Sequence, residues 1–266
     1  MSDSKAFGGT IPGFYDRYLG PFLFSQFALN MAIRIERMKP KRVLEVACGT
    51  GIVTKALAHL LESDTQIIAT DLSPEMVEFA RGSVNQVRID FRVADAMNVP
   101  FASESFDVVA CQFGMMMLPD KFAGAREAHR VLRSGGSFVF SVWGPIKKNP
   151  WSQILEDAFG AALPDSDKPF MPTPFSLADP ELLREIAASA PFESVSIEEV
   201  EFQSPEIPVH DLATGFVHGT LISRHIQNLG LDETEVLDGV TRCLQNQVGA
   251  LASSSLHAYV VTAIKR

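Results

Sequence analysis

The feature that most constrains the fold of this chain is a regular alternation of apolar runs and helical segments between residues 41 and 145. The runs are rich in β-branched and aromatic residues and read RVLEVA, QIIATD, IDFRVA, FDVVACQF and SFVFSVW. This spacing is typical of right-handed βαβ crossovers, which build a parallel sheet. We predict an α/β fold with a mostly parallel sheet and helices on both of its faces.

The pattern changes on both sides of this core. Residues 1–40 predict an N-terminal helical cap with a break near Gly20-Pro21, because this dipeptide usually interrupts helices. Residues 146–266 predict the remaining strands, at 192–203 and 255–266, with helical inserts that cover the substrate. Together with the core at 41–145, these parts are expected to form a single domain. Gly135-Gly136 is expected to end the helix before the fifth strand.

The composition of the chain limits the classes of molecule that we expect it to bind and the compartment that we expect it to occupy. A formal net charge of −9 disfavours nucleic acid or an anionic membrane as the main partner, since both attract a basic surface. The three cysteines are far apart in the sequence. This spacing predicts neither a metal site nor a disulfide framework, and it fits a protein in a reducing compartment. The sequence has no signal-peptide pattern and no apolar run of transmembrane length, so we expect a cytoplasmic protein.

The stretch VLEVACGTGIVT, residues 43–54, reads as a strand, a glycine turn and a helix that could approach a nucleotide-like cofactor closely. A dinucleotide fingerprint would need a third glycine where Thr54 stands. Glu45 would also lie near a pyrophosphate, at a Coulomb cost of roughly 1 kcal/mol or more. With a cationic cofactor, the charge interaction with Glu45 would be favourable instead. S-adenosylmethionine carries an ammonium and a sulfonium group, and we predict it as the cofactor.

Two further carboxylates follow the next strands. Asp71 lies about twenty residues beyond the turn, where a carboxylate accepts the hydroxyl groups of a ribose in either cofactor class. Asp95 could accept from an adenine amino group with Ala96 supplying a backbone N–H, while Leu72 and Met76 could cover the ring. Each carboxylate alone could be a solvated strand end or a helix cap, but three at successive strand ends favour a nucleoside site.

Four stretches resemble class I S-adenosylmethionine-dependent methyltransferases, in particular the ubiquinone/menaquinone-biosynthesis type and other small-molecule enzymes. VLEVACGTG, TDLSPEMVEFAR, VADAMNVPFASESFDVV and EAHRVLRSGGSFVFSVW occur in the order and spacing of that family, within residues 41–145. YDRYLGPFLF resembles the helix that caps the cofactor. The resemblance implies a Rossmann-like, seven-stranded, mostly parallel sheet with an antiparallel last strand, helices on both faces and helical inserts as a lid. Ala47 stands where the family often has glycine. The resemblance implies cofactor contacts for Glu45, Ala47, Gly49, Gly51, Asp71, Asp95, Ala96 and Gln112, and it favours Tyr15 and Tyr18 as residues that close over the cofactor. The predicted cofactor-binding residues also include Cys48, Leu72, Met76 and Phe113.

The catalytic residues are less determined, because methyl transfer from a sulfonium requires mainly alignment and needs a base only when the acceptor loses a proton. His210, His218 and His225 lie between the last two predicted strands, and we take His218 in GFVHG as the candidate base. Packing is the alternative for each histidine. Cys111 lacks the proline that neighbours a cytosine-methylating nucleophile, and we expect it to be buried.

Aromatic and methionine side chains around the fourth and fifth strands could line an acceptor pocket or fill the core. These residues are Phe113, Met115, Met116, Met117, Trp143 and Trp151.

The sequence therefore predicts transfer of a methyl group from S-adenosylmethionine to a small, apolar or aromatic metabolite at oxygen, nitrogen or carbon. One alternative is a non-catalytic sensor or partner protein that binds the same cofactor. The other is an NAD(P)-linked oxidoreductase, disfavoured by Glu45 and Thr54. The acceptor and the oligomeric state are not determined by the sequence.

Overall fold

The computed structural model describes residues 10–84, 88–164 and 173–266, and these residues form two compact units. The sheet unit comprises the described residues of 27–144, 173–200 and 258–266. The helical unit comprises the described residues of 10–26, 145–164 and 201–257.

The secondary structure alternates strands and helices through the middle of the chain, as predicted. The elements are α1 (Ile11–Phe14), a π-helix (Tyr15–Phe24), α2 (Ser25–Arg37), β1 (Arg42–Val46), α3 (Ile52–Leu60), β2 (Gln66–Asp71), α4 (Pro74–Ser83), β3 (Ile89–Val93), β4 (Phe106–Gln112), a 3₁₀ turn (Met115–Met117), α5 (Lys121–Val131), β5 (Leu132–Trp143), a 3₁₀ turn (Ile146–Lys148), α6 (Pro150–Ala162), α7 (Pro180–Ala188), β6 (Phe192–Gln203), β7 (Ile207–Pro208), α8 (Val209–Gly219), α9 (Ile222–Asn228), α10 (Glu233–Val248), β8 (Leu251–Ala252) and β9 (Ser255–Lys265).

The main sheet has seven strands in the order β3-β2-β1-β4-β5-β9-β6. Strands β1 to β5 pair in parallel, while β9 pairs with β5 in antiparallel register, with Ser137 opposite Ile264. The predicted fold class is therefore confirmed. The chain runs outward from β1 to β3 and then returns to β4 beside β1, so a topological switch point lies between β1 and β4.

The predicted break at Gly20-Pro21 is wrong, because the chain stays helical from Ile11 to Arg37. Pro21 lies inside the π-helix, where the backbone N–H of Ser25 donates to the carbonyl oxygen of Gly20. The Ser25 hydroxyl donates to the same oxygen over 3.0 Å. Leu19, Phe22 and Leu23 are buried on this helix, so the burial of apolar side chains offsets the hydrogen bond that proline cannot make.

The prediction that Gly135-Gly136 ends a helix is also wrong. Helix α5 ends at Val131, and β5 begins at the next residue and runs through both glycines. The register against β4 shifts in this region. Gly135 has a φ of 76°, and a Cβ on Gly136 would lie 2.9 Å from the carbonyl oxygen of Arg133. The glycines therefore permit a bulged strand.

The helical unit is built around α8 and α10. Helix α10 packs against α6 and α8, and α8 packs against the π-helix. A small antiparallel sheet of β7 and β8 completes this unit. None of the helices in the described part of the chain is both long and apolar enough to cross a membrane.

Candidate functional site

The predicted cofactor residues of the sheet unit follow the carboxyl ends of four adjacent strands. Because β3, β2, β1 and β4 are neighbours and run in parallel, the turns after them meet at one edge of the sheet. Glu45 lies near the carboxyl end of β1, Asp71 is the last residue of β2, and Gln112 is the last residue of β4. Asp95 follows β3. Ligands of open α/β sheets bind at such an edge, beside the switch point.

The turn after β1 is bent by three residues with positive φ: Ala47 at 53°, Gly49 at 54° and Gly51 at 83°. A Cβ on Gly49 would meet no atom within 4 Å, so the backbone here borders open space. A Cβ on Gly51 would instead lie 3.0 Å from Val84 Cγ2 in the segment that ends α4. Gly51 is needed for packing, whereas Gly49 leaves room for a ligand to approach the backbone.

Asp71 joins the turns that follow β1 and β2. One carboxylate oxygen accepts from the backbone N–H of Gly49 at 2.8 Å, and the other accepts from that of Ser73 at 2.9 Å. The Ser73 hydroxyl in turn accepts from the Met76 N–H, capping α4 as its sequence predicts. Both oxygens keep a lone pair, so Asp71 can hold the loop and still accept a ligand hydroxyl.

Glu45 is almost completely buried, with 2% of its surface exposed. The Thr54 hydroxyl on α3 donates to its carboxyl group over 2.6 Å. Burial is the main cause that raises the pKa of Glu45 to about 8; the Thr54 hydrogen bond opposes this rise, and the nearby charge of Asp71 adds to it. Without a ligand, this carboxyl group is therefore mostly protonated at neutral pH, and a nearby cation would favour its ionised form.

Cys48 lies in the same turn and is buried. Burial raises the pKa of this thiol well above its usual value, and Glu45 and Asp71 add to the effect. Cys48 is thus a neutral thiol, which suits a packing role within the turn rather than a nucleophile.

The residues predicted for the adenine lie after β2 and β3. The carboxylate of Asp95 accepts from the backbone N–H of Met97 at 2.8 Å, which fixes its orientation. Asp95, Ala96 and Met76 are half-buried, while Leu72 is 69% exposed. An exposed leucine directly after Asp71 provides an apolar surface that an adenine ring could cover.

The turn after β4 approaches the turn after β1 closely. Phe113 has a φ of 52°, and its N–H donates to the carbonyl oxygen of Ser141 at 2.9 Å. A Cβ on Gly114 would lie 2.5 Å from Ala47 Cβ and 2.8 Å from Cys111 Sγ. Only glycine fits at position 114. Cys111 is completely buried, and burial raises its pKa to about 12, so it is a packed strand residue.

Most of the aromatic and methionine residues near β4 are core residues. Phe113 and Trp143 stack with ring centroids 4.1 Å apart, and Phe27 meets both rings edge-on. Met115 and Met116 are buried, while Met117 is 55% exposed. In the helical unit, Trp151 is buried and stacks on Phe216.

The remaining predicted site residues belong to the helical unit. Tyr15 stacks on Phe24 with ring centroids 5.1 Å apart, and Tyr18 stacks on Phe14 at 6.2 Å. Their contact with a cofactor stays a prediction. His218 is hydrogen-bonded to Glu233, over 2.9 Å.

Sequence reasoning missed two contributors to this site. In the sequence, Thr54 is only a departure from the dinucleotide fingerprint, whereas in the structure its hydroxyl is the partner of Glu45. A buried acidic strand residue followed by a threonine in the first turn of the next helix is a signal for such a pair. Gly114 has no local sequence signal, because its role depends on the close approach of two turns that are distant in sequence.

The arrangement is that of a class I methyltransferase fold: the sheet has seven strands, its last strand in sequence is antiparallel, and the predicted cofactor residues of the sheet unit lie at the edge beside its switch point. Residues 44–140 match the family model of the methyltransferase domain. Over these residues the chain is therefore similar to methyltransferase domains.

Individual relatives agree with that assignment. The chain is 38% identical over 102 residues to a ubiquinone/menaquinone biosynthesis C-methyltransferase of Geobacter sp. (strain M21), an alignment that covers 37% of this chain and 43% of that protein. It thus spans about half or less of the curated relatives that it matches.

Two solved structures share the fold at low sequence identity. A phosphoethanolamine N-methyltransferase 2 of Haemonchus contortus has a TM-score of 0.61 and 18% identity, over 100% of this chain and 61% of that chain. The [4+2]-cyclase SpnF has a TM-score of 0.58 and 19% identity, over 91% of this chain and 81% of its own. Since these names differ in reaction, the likeness identifies the fold and not the chemistry.

Proposed function

We propose that this protein is a methyltransferase that transfers a methyl group from S-adenosylmethionine to a small, apolar or aromatic metabolite. The observation that carries the proposal is the buried carboxyl group of Glu45 beside an open glycine turn whose Gly49 N–H is held by Asp71. A buried acid next to an open turn suits a cofactor with positive charge and opposes a pyrophosphate.

The described residues fit the parts of S-adenosylmethionine. Asp71 would accept the ribose hydroxyl groups, while Asp95 and the Ala96 N–H would bind the adenine edge, with Leu72 and Met76 covering the ring. The methionine part would lie against the turn after β1 and the end of β4. That region is formed by Glu45, Ala47, Cys48, Gly49, Gly51, Gln112 and Phe113.

The bound sulfonium supplies an activated methyl group. The protein contributes alignment of the acceptor with that group and exclusion of water from the reacting atoms. Ionised Glu45 adds a favourable charge interaction with the cationic cofactor, and Thr54 fixes the orientation of the carboxylate through its hydrogen bond.

An aromatic acceptor is the substrate class that we favour. The relative from Geobacter is named as a ubiquinone/menaquinone biosynthesis C-methyltransferase, which makes a quinol-type ring a reasonable first acceptor to examine. The exposed Met117, just beyond β4, offers an adaptable apolar contact near the expected position of the methyl group.

Isothermal titration calorimetry with S-adenosylmethionine, S-adenosylhomocysteine and NADH tests the cofactor directly. We expect binding of the first two and none of NADH; NADH binding without S-adenosylmethionine binding would overturn the proposal. Release of S-adenosylhomocysteine with a panel of quinols and phenols then separates the enzyme from a sensor. Tight cofactor binding with no turnover across broad small-molecule panels would favour the sensor.

A further inference from the structure

Helix α5 contributes none of the predicted cofactor residues, but two of its side chains bind the backbone of the segment that follows β3. The Glu127 carboxylate accepts a hydrogen bond from the Val99 N–H over 2.8 Å. The Arg130 guanidinium donates to the carbonyl oxygen of Val99 over 3.2 Å and to that of Phe101 over 2.8 Å. Three backbone groups of residues 99–101 are therefore fixed to α5, all within the sheet unit.

Glu127 and Arg130 also form an ion pair with each other. Arg130 Nε donates to Glu127 Oε2 over 2.8 Å, and Arg130 Nη2 donates to Glu127 Oε1 over 2.7 Å. The Glu127 side chain is only 11% exposed, so its charge needs such a partner. Because a guanidinium is planar and carries its N–H donors in a fixed geometry, the two contacts with Glu127 orient the other donors towards the segment after β3. The Ser103 hydroxyl accepts a further one there over 3.3 Å.

The segment begins with a tight turn that contains Asp95 and Ala96, two of the residues predicted for the adenine. The Asp95 carbonyl oxygen accepts from the Asn98 N–H over 3.0 Å, and its carboxylate accepts from the Met97 N–H over 2.8 Å. The Asp95 carboxylate and the Ala96 N–H are therefore parts of one small backbone unit, and their directions change together when this turn changes.

Both ends of this turn are anchored. Upstream, the Ala94 N–H donates to the carbonyl oxygen of Asp71 over 3.0 Å, which joins the turn to β2. Downstream, Val99 is the next residue of the chain, and its N–H donates to Glu127. Loss of the Glu127–Arg130 pair would remove the downstream hydrogen bonds of residues 99–101 to these side chains, while the upstream hydrogen bond would remain.

We propose that Glu127 and Arg130 are positioning residues for base recognition. By fixing residues 99–101, they keep the Asp95 carboxylate and the Ala96 N–H in the directions that select adenine over a base with the opposite hydrogen-bond pattern. This inference rests on the proposed function, which assigns Asp95 and Ala96 to the adenine. Neither positioning residue needs to touch the base, because each acts through the turn.

Hydrogen-bond direction distinguishes adenine from hypoxanthine. Adenine presents an amino donor next to a ring-nitrogen acceptor, and these complement the Asp95 carboxylate and the Ala96 N–H. Hypoxanthine presents a carbonyl oxygen next to a ring N–H, so in the same turn an acceptor would face an acceptor and a donor would face a donor. A rigid turn therefore rejects hypoxanthine, whereas a turn that reorients loses contacts with adenine and tolerates both bases.

Calorimetry with S-adenosylhomocysteine and S-inosylhomocysteine measures this selection. The two ligands differ only in the base, so the ratio of their dissociation constants cancels the contacts of the ribose and the amino acid. A merely structural role would not change this ratio, because a general loss of stability affects both ligands alike. The variants are Arg130→Ala, Arg130→Lys and Glu127→Gln.

Two arginines of the sheet unit provide matched controls. Arg126 lies on the same helix and pairs with Asp120 over 3.6 Å, and both side chains are exposed. Arg126→Ala therefore removes a guanidinium from α5 while the ion pair that binds the segment remains. Arg88 donates to the carbonyl oxygens of Leu61 and Glu62, just beyond the carboxyl end of α3. Arg88→Ala removes backbone contacts elsewhere in the unit and reports the effect of destabilisation alone.

We expect Arg130→Ala to lower the ratio by about tenfold, mainly because S-adenosylhomocysteine binds more weakly when the hydrogen bonds to its base lose their geometry. Arg130→Lys should lower the ratio less, because an ammonium group keeps the charge interaction with Glu127 but cannot reach all of the same partners. Glu127→Gln should lower the ratio as well, since its amide nitrogen would face the guanidinium as a second donor. Both controls should keep the wild-type ratio, even if Arg88→Ala lowers the melting temperature.

The inference would be wrong if Arg130→Ala and Glu127→Gln kept the wild-type ratio, or if Arg88→Ala lowered it as much as Arg130→Ala. Should Arg130→Ala fail to fold, the ratios of Arg130→Lys and Glu127→Gln are judged in the same way. A wild type that binds both ligands equally would also overturn the inference, because there would be no base selection to explain. Failure of the wild type to bind S-adenosylhomocysteine at all would instead refute the proposed function.

Discussion

Replacing Glu45 with glutamine should make the free protein more stable at high pH while weakening its binding of S-adenosylmethionine. Glutamine keeps the shape of the side chain and an oxygen that can accept the Thr54 hydroxyl. It removes the charge that the buried site resists, since burial raises the pKa of Glu45 from 4.5 to about 8. The exchange therefore separates the stability cost of the buried acidic group from its contribution to cofactor binding.

The direction follows from proton linkage. Because the folded pKa lies above the unfolded value, folded Glu45 keeps its proton between about pH 4.5 and pH 8 while the unfolded chain has lost it. The resulting contribution to stability is fully present below pH 4.5 and is lost as the pH rises to 8. One pKa unit corresponds to about 1.4 kcal/mol, so the total change is about 5 kcal/mol.

Urea unfolding of the wild type and Glu45→Gln at pH 6 and pH 9 measures this term. The difference in unfolding free energy between the two proteins should increase in favour of the variant by about 2.5 kcal/mol over this interval. Any effect of the amide group that does not depend on pH cancels when the values at pH 6 and pH 9 are compared. Glu78→Gln, on the exposed face of α4, should show no such trend. Parallel pH profiles for wild type and Glu45→Gln would refute the reasoning.

Four further substitutions test the turns. Gly49→Ala should cost only about 1 kcal/mol of stability, because of its positive φ, but it should lower S-adenosylmethionine affinity in calorimetry. Gly51→Ala should lower the melting temperature more than Gly49→Ala does, because its methyl group meets α4. Equal melting temperatures of the two variants would contradict the different roles of these glycines. Asp71→Asn should cost about 1.5–3 kcal/mol in urea unfolding, since one of the two backbone N–H groups loses its acceptor and the other keeps only a neutral one. The variant should also bind the cofactor more weakly, and an unaffected variant would contradict the bridging role. Gly114→Ala should destabilise by about 1–3 kcal/mol through overpacking, and an unchanged midpoint would show that the two turns are not in contact.

Much of the sheet unit could be predicted because its signals are local. Apolar runs separated by helical segments predict β1 to β5, and the Ser73-Pro74 pair marks the start of α4, where Ser73 is indeed the cap. The antiparallel last strand came from the family resemblance, and its pairing with β5 confirms it.

The errors occurred where tertiary packing overrides local preference. Gly20-Pro21 reads as a helix break, but buried neighbours keep the π-helix continuous. Gly135-Gly136 reads as a helix end, but the glycines lie in a bulged strand. A single sequence gives no information about which apolar surfaces will cover such segments.

The chemistry of the site was partly predictable for the same reason. Glu45 and Asp71 are recognisable from their positions at strand ends, but their hydrogen-bond partners are not. Thr54 is nine residues from Glu45, and the Gly49 N–H that Asp71 accepts from belongs to a different turn. Likewise, His218 was a candidate from its sequence surroundings, whereas its link to Glu233 depends on how α8, α9 and α10 pack.

The central claim is that a cationic cofactor draws buried Glu45 into its ionised form. The most direct measurement is the dissociation constant of S-adenosylmethionine for the wild type and Glu45→Gln at pH 6 and pH 8, because the ratio of the two constants cancels any titration of the ligand. We predict that the variant binds more weakly at pH 8 and that this ratio increases by about tenfold or more from pH 6 to pH 8. A ratio near one at both pH values would contradict the account.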